Sequence, residues 1–189
     1  MEPVELLERV VYVLDKMQLD YAVGGSMASM FYGEARFTND IDIVVDLTSD
    51  RVQEFVSHFS GDEFYVSEEA ANGAIEHQSQ FNILVPDAGL KVDIIIPKAH
   101  PHDRLQFSRT RLTQPAGTFT ARYAAPEDII LKKMQAYEEG QSDKHLRDIA
   151  SMLKINGYAI DHTYIADWAQ TLGLSGIWSL ILNRVGGNP

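Results

Sequence analysis

Apolar side chains at Leu6, Leu7, Val10, Val11, Leu14 and Met17 recur at helical spacing behind Pro3, a residue favoured in a first helical turn. The chain therefore opens with an amphipathic helix. The short apolar run Tyr21 to Val23 is stopped by Gly24 and Gly25, after which Ser26 to Tyr32 reads as a small-residue helix ending at Gly33. From Ile41 to Leu47, β-branched apolar residues alternate with aspartates, predicting a strand buried largely on one face. Thr48 and Ser49 offer an N-cap for a helix from Asp50 to Phe59, followed by a short strand at Phe64 to Val66 and a helical stretch at Glu68 to Ala74. Phe81 to Val85 and Leu90 to Ile96 flank Pro86 and Gly89 and predict an antiparallel hairpin. Arg109 to Leu112 and Thr118 to Tyr123 predict a second hairpin around Pro115-Ala116-Gly117. Beyond Pro126 the pattern is helical, with segments to Tyr137, from Ser142 to Ile155, from Asp161 to Leu172 and from Ser175 to Arg184.

A chain of 189 residues fits one domain, or one domain with a small appendage. No repeat, low-complexity segment or flexible linker interrupts it, so the boundary near residue 125 is a change of architecture. Hydrophobic residues make up 45% and charged residues 23%, which disfavours extended disorder and leaves enough apolar side chains for a real core. No run approaches the roughly 18 apolar residues of a membrane span. The first fifteen residues carry Glu2, Glu5 and Glu8 where a signal peptide would be basic, so a cytoplasmic location is the default expectation. With no cysteine, disulfides, thiolate metal sites, iron–sulfur clusters and cysteine nucleophiles are excluded.

Net charge is −11, which argues against a general nucleic-acid coat protein, yet the charge is uneven. Residues 1–97 hold five basic against eighteen acidic side chains, whereas residues 98–189 hold eleven against nine. Lys98, Arg104, Arg109, Arg111, Arg122, Lys132 and Lys133 form either a local anion-binding surface or a set of scattered solvated charges.

Asp40 and Asp42 stand at i and i+2 at the start of a strand otherwise made of Ile and Val, so both carboxylates share one face of the sheet. Close carboxylates repel one another and cost desolvation unless a cation neutralises them. Asp93 repeats the pattern at the start of another apolar strand. Asp42 alone could cap a turn or pair with Arg36, but three such acids together favour a site for a hard divalent cation, Mg²⁺ or Mn²⁺. Gly24-Gly25-Ser26, between a strand and a helix, either forms a simple turn with an N-cap or brings backbone amides and the Ser26 hydroxyl to a phosphate. The Walker lysine pattern is absent. His100 and His102, lacking a third ligand, read as a solvated loop, and Tyr158, Tyr164, Trp168 and Trp178 read as packing for the terminal helices. Base stacking by Tyr123, Tyr137 or Tyr164 is a minor alternative.

Val23-Gly24-Gly25-Ser26, thirteen further residues, Asp40-Ile41-Asp42-Ile43 and a later Val92-Asp93-Ile94 resemble the signature of the polymerase-β-type nucleotidyltransferase superfamily. The segments from Arg36 to Asp42, from Ala125 to Lys132 and from Lys144 to Ile149 further resemble the compact bacterial branch containing AbiEii-like toxins. The resemblance covers roughly residues 20–155, and residues 156–189 carry no assignable motif. It implies an α+β fold with a mixed sheet backed by helices. Residues 1–124 would be the catalytic core, and residues 125–189 a helical portion closing the nucleotide cleft. It also implies attack of an acceptor hydroxyl on the α-phosphate of an NTP, with release of pyrophosphate. Carried over by position, Asp40, Asp42 and Asp93 would be the catalytic metal ligands for Mg²⁺ or Mn²⁺. Gly24, Gly25 and Ser26 would bind the nucleotide phosphates, and Lys132 would be a triphosphate counter-charge. Arg36 and Thr38 would order the loop before the metal strand, and Asp148 would hold its helix or an arginine. The acceptor implied is an RNA or tRNA end, a protein side chain or a small molecule, with a cognate antitoxin as partner. The competing reading is a non-catalytic nucleotide-binding or antitoxin-like protein of the same fold.

Overall fold

The computed structural model describes residues 1–35, 38–115 and 119–186. Its elements run α1 (Pro3–Lys16), β1 (Tyr21–Val23), α2 (Gly25–Tyr32), β2 (Asp40–Val45), α3 (Val52–Ser57), β3 (Tyr65–Val66), α4 (Glu68–His77), β4 (Gln80–Val85) and β5 (Leu90–Ile95). They continue with α5 (Pro101–Ser108), β6 (Arg111–Thr113), β7 (Ala121–Tyr123), α6 (Pro126–Gly140), α7 (Asp143–Asn156), α8 (His162–Thr171) and α9 (Ser175–Gly186). The fold is α+β. The chain divides into two compact units, one of Met1–Met27 with Phe37–Ala124 and one of Ala28–Arg36 with Ala125–Pro189. Thus α2 begins in the first unit, and from Ala28 onward it belongs to the second.

The first unit is built on a mixed sheet in the order β3-β4-β5-β2-β1-β7-β6. β2 runs parallel to β5 and antiparallel to β1, and β4 and β5 form the expected antiparallel hairpin, with Val85 opposite Leu90. Left-handed Gly89 closes that hairpin after a 3-10 turn at Pro86–Ala88. Alternation sorts β2 cleanly, since Ile41, Ile43 and Val45 are fully buried while Asp40, Asp42 and Val44 lie on the less covered face. Val92 and Ile94 of β5 and Phe81, Ile83 and Val85 of β4 continue the apolar layer. Against it pack α1 through β2 and α4 through β4. The Glu2 amide donates to the Glu5 carboxylate at 2.8 Å and fixes the start of α1, whose buried Leu6, Leu7, Val10 and Leu14 supply the apolar stripe. Burying such side chains contributes about 1.5–3 kcal/mol each.

Two expectations change in this unit. The helix predicted from Asp50 to Phe59 is a 3-10 turn at Ser49–Arg51 followed by the short α3, anchored by Phe55, which is fully buried. The stretch around His100 and His102 is not a solvated loop but helix α5. His100 caps it by accepting from the His102 amide, and His102, Asp103 and Gln106 are buried. Pro101 opens that helix, and α5 packs against β1. In the second hairpin β6 and β7 pair as expected, with Leu112 opposite Arg122, while Ala116, Gly117 and Thr118 of its turn lie outside the described residues. So do Arg36 and Phe37.

The second unit is helical from Pro126 onward, and α6, α7, α8 and α9 pack pairwise around Ile130, Leu131, Met134, Ile149, Met152 and Ile165. Gly33 permits close approach there: an added Cβ would lie 2.7 Å from Ser151 Oγ, the same hydroxyl that accepts from the Glu34 amide. Trp178 packs as expected, but Tyr158 is 91% exposed, because it sits in a 3-10 turn after α7 rather than on a helix face. Among the described residues, no helix is long and apolar enough to cross a membrane.

Candidate active site

Sheet register brings the predicted carboxylates into one row. Asp42 on β2 is the direct partner of Asp93 on β5, and Asp93 is in turn opposite Asn82 on β4. Asp40, two residues before Asp42 and on the same face, is opposite Lys91. Asp93 is buried, and both of its oxygens are engaged: the Asn82 side-chain amide donates to Oδ1, and Lys91 Nζ lies 2.9 Å from Oδ2. The same ammonium lies 3.8 Å from Asp40 Oδ1. The hydrogen bond to Asp93 holds Lys91 above the ordinary lysine pKa, outweighing the burial that opposes its charge. Thr38 Oγ1 accepts from the Asp40 amide at 3.3 Å and fixes the start of β2.

The glycine turn stands against this row. The Gly24 amide donates to the Asp42 carbonyl at 2.8 Å, extending the β1–β2 ladder by one bond. Gly25 then turns into α2 with φ of +54°, and a Cβ built on it would lie 1.7 Å from Asp42 Oδ2 and 2.7 Å from Asp42 Cβ. Glycine is required twice here, by the left-handed backbone and by the carboxylate against its α-carbon. Ser26 follows in the first turn of α2. The first unit thus gathers Asp40, Asp42, Asp93, Gly24, Gly25 and Ser26.

Lys132 lies on α6 in the second unit, half-buried. Its neighbour Lys133 is the one turned inward, with Nζ 2.7 Å from Asp148 Oδ2 on α7. Asp148 thus holds a lysine of the neighbouring helix. Glu127 and Asp128, acids in the first turn of α6, are both buried. Glu127 Oε1 accepts from the Asp161 amide at 3.0 Å, and Asp128 Oδ1 accepts from the Tyr164 hydroxyl at 2.9 Å. Tyr164 thus has a structural partner, and Tyr123, at 1% exposure, has no face for a base. Three of the seven basic residues between Lys98 and Lys133 are engaged in ion pairs, Arg104 with Asp46, Arg122 with Asp15 and Lys133 with Asp148.

Among the described residues, no three acidic or histidine side chains converge as a ready metal cage. The row nonetheless suits a hard cation. Its donors are carboxylate oxygens, Gly25 leaves room for the Asp42 carboxylate, and a cationic group, the Lys91 ammonium, already stands between Asp93 and Asp40. Sequence reasoning did not single out Lys91 or Asn82. Both were accessible from it, Lys91 as the i−2 neighbour of Asp93 and Asn82 as its partner across the hairpin.

The family model described as nucleotidyl transferase AbiEii toxin, type IV TA system, matches residues 6–173. The chain belongs to the AbiEii family. The resemblance to AbiEii-like toxins, read from the segments Arg36 to Asp42, Ala125 to Lys132 and Lys144 to Ile149, is thereby confirmed, and family and fold together support a transferase. Among solved structures, an antigenic nucleotidyltransferase-like protein from Paracoccidioides brasiliensis is 17% identical, with a TM-score of 0.56 over 92% of this chain and 91% of that one. ANT(2'')-Ia in complex with adenylyl-2''-tobramycin is 15% identical, with a TM-score of 0.54 over 96% and 97%. The lincomycin-bound lincosamide antibiotic adenylyltransferase LnuA is 14% identical, with a TM-score of 0.52 over 79% and 96%. At these identities the likeness is one of fold. No curated protein matches the chain.

Proposed function

We propose that this AbiEii-family chain is a Mg²⁺- or Mn²⁺-dependent nucleotidyltransferase that transfers NMP from an NTP to an acceptor hydroxyl. The hydroxyl oxygen forms a bond to the α-phosphorus, the bond from that phosphorus to the leaving pyrophosphate breaks, and the hydroxyl proton is released. The observation that carries the reading is the pairing of Asp42 with Asp93 in adjacent parallel strands, with the Gly25 turn packed on Asp42. Asp40, Asp42 and Asp93 would hold the divalent cation, which when bound supplies charge neutralisation for the triphosphate and the leaving pyrophosphate.

The remaining roles fall to the chain's own groups. Asn82 orients Asp93 by donating to its Oδ1, and Gly25 keeps the Asp42 carboxylate against the turn. The Gly24–Ser26 turn presents backbone amides and a hydroxyl suited to phosphate oxygens. Lys132 is proposed as a triphosphate counter-charge on the sequence resemblance alone. The family supports a toxin role with a cognate antitoxin, acting on an RNA or tRNA end or a protein hydroxyl, with a small molecule as a further acceptor class. A cytoplasmic site of action belongs to the same proposal.

The test is thermal stability of wild type and Asp40→Asn/Asp42→Asn protein with each NTP, with and without Mg²⁺. A ligand at a hundredfold excess over its Kd stabilises by about 2.7 kcal/mol. A metal-dependent rise for at least one NTP, lost in the variant, is expected. Equal behaviour of the two proteins would overturn the site. Labelled NTP with total tRNA or total protein then identifies the acceptor class, and growth on expression of wild type against Asp42→Asn tests toxicity.

A further inference from the structure

Lys91 is an unusual residue for its place. β5 lies between β4 and β2, so Lys91 is not an edge-strand lysine of the kind that blocks strand addition, and lysine is depleted from strand interiors. Its neighbours explain it. Asp42 and Asp93 are direct partners in a parallel ladder, and like charges so placed destabilise a sheet. Lys91 shares the face of Asp93 by two-residue periodicity and is itself opposite Asp40. Its Nζ lies 2.9 Å from Asp93 Oδ2 and 3.8 Å from Asp40 Oδ1, at a point where the acids need positive charge.

We propose that Lys91 is the built-in cation of this row, holding Asp93 and Asp40 until a divalent metal displaces its ammonium and thereby setting the affinity for free metal. The inference rests on the reading of Asp40, Asp42 and Asp93 as metal ligands. Asn82 engages only Asp93 Oδ1, so Oδ2 is the oxygen whose release from Lys91 opens the position. Lys91 acts through the carboxylates and is a positioning residue. Its side chain is 37% exposed, so the displaced ammonium has water to enter.

The experiment measures Mn²⁺ binding to the full chain without nucleotide, by electron paramagnetic resonance of free Mn²⁺, alongside melting temperature in chelator and in Mn²⁺. Lys91→Met should bind Mn²⁺ roughly two- to fivefold more tightly, as removal of one partly exposed competing ion pair implies. It should also melt lower in chelator and gain more from Mn²⁺ than wild type. Lys91→Arg, which keeps the charge, should behave as wild type, and Asp93→Asn should lose Mn²⁺. Lys91→Gln serves the same comparison if Lys91→Met does not fold. Unchanged or weaker Mn²⁺ affinity in the neutral variants, with binding still lost in Asp93→Asn, overturns the role of Lys91 and leaves the metal-ligand reading standing. Absence of Mn²⁺ binding in wild type and neutral variants alike overturns both.

Discussion

The α-carbon of Gly25 rests on the carboxylate of Asp42, so closely that any side chain at position 25 would occupy the space of Asp42 Oδ2, Cγ and Cβ. Backbone conformation and acid placement are therefore one feature: the turn that opens α2 also fixes where the second aspartate of β2 can point. Gly25→Ala should lower stability by about 2–4 kcal/mol, combining a left-handed non-glycine residue with an overpacked contact. It should also abolish any metal-dependent stabilisation by NTP. Gly24→Ala is the control, because its Cβ would meet only the Asp42 carbonyl at 3.8 Å, an ordinary contact. Paired denaturation curves check the contrast, and equal losses for the two variants would sink the argument.

Much of this arrangement is legible in the sequence, for a physical reason. Strands with alternating burial reveal their faces, so the i, i+2 spacing of Asp40 and Asp42 and the apolar run around Asp93 are enough to mark these acids as a set. That β2 and β5 are adjacent, with Asp42 beside Asp93, is not readable there, since β4 intervenes in the chain and periodicity carries no information about strand order. Helix α5 stays hidden because its buried positions are His102, Asp103 and Gln106, polar residues that read as loop. Nor can periodicity choose between Lys132 and Lys133, because the choice depends on Asp148, which another helix supplies.

Lys133 and Asp148 form a pair with side-chain exposures of only 7% and 12%. Removing one partner takes a direct counter-charge from the other where little water reaches, which typically costs about 3–5 kcal/mol. Lys133→Met and Asp148→Leu should each destabilise strongly. The double variant should recover most of the loss, since two apolar groups need no partner. A double-mutant cycle by chemical denaturation checks this, and additive losses would contradict a direct pair.

Tyr164 donates its hydroxyl to Asp128, which is 1% exposed. Tyr164→Phe keeps the ring and its neighbour Trp168 while removing one donor from a buried carboxylate. The expected cost is about 1.5–3 kcal/mol, the range for hydrogen bonds to charged groups. Asp128→Asn in the Tyr164→Phe background should cost less than in wild type. A melting temperature unchanged by Tyr164→Phe would contradict the bond.

Tyr21 offers a dependence on pH. Burial pushes its phenol pKa up, with the negative charge of Asp15 adding to the rise and the Arg122 backbone amide and guanidinium opposing it. A raised folded-state pKa means that the neutral phenol is the form the fold prefers. Its contribution is fully present below the unfolded value of 10.0 and is lost as pH rises through the folded value. Wild type should therefore lose more stability than Tyr21→Phe between neutral pH and about one unit above the ordinary tyrosine value. At neutral pH the variant should be slightly the weaker, because the Arg122 amide donates to the Tyr21 hydroxyl at 3.3 Å. Subtracting one denaturation series from the other cancels titration of the remaining tyrosines and lysines. A difference that stays flat with pH, or that grows in the opposite direction, would mean that burial of Tyr21 does not govern its ionisation.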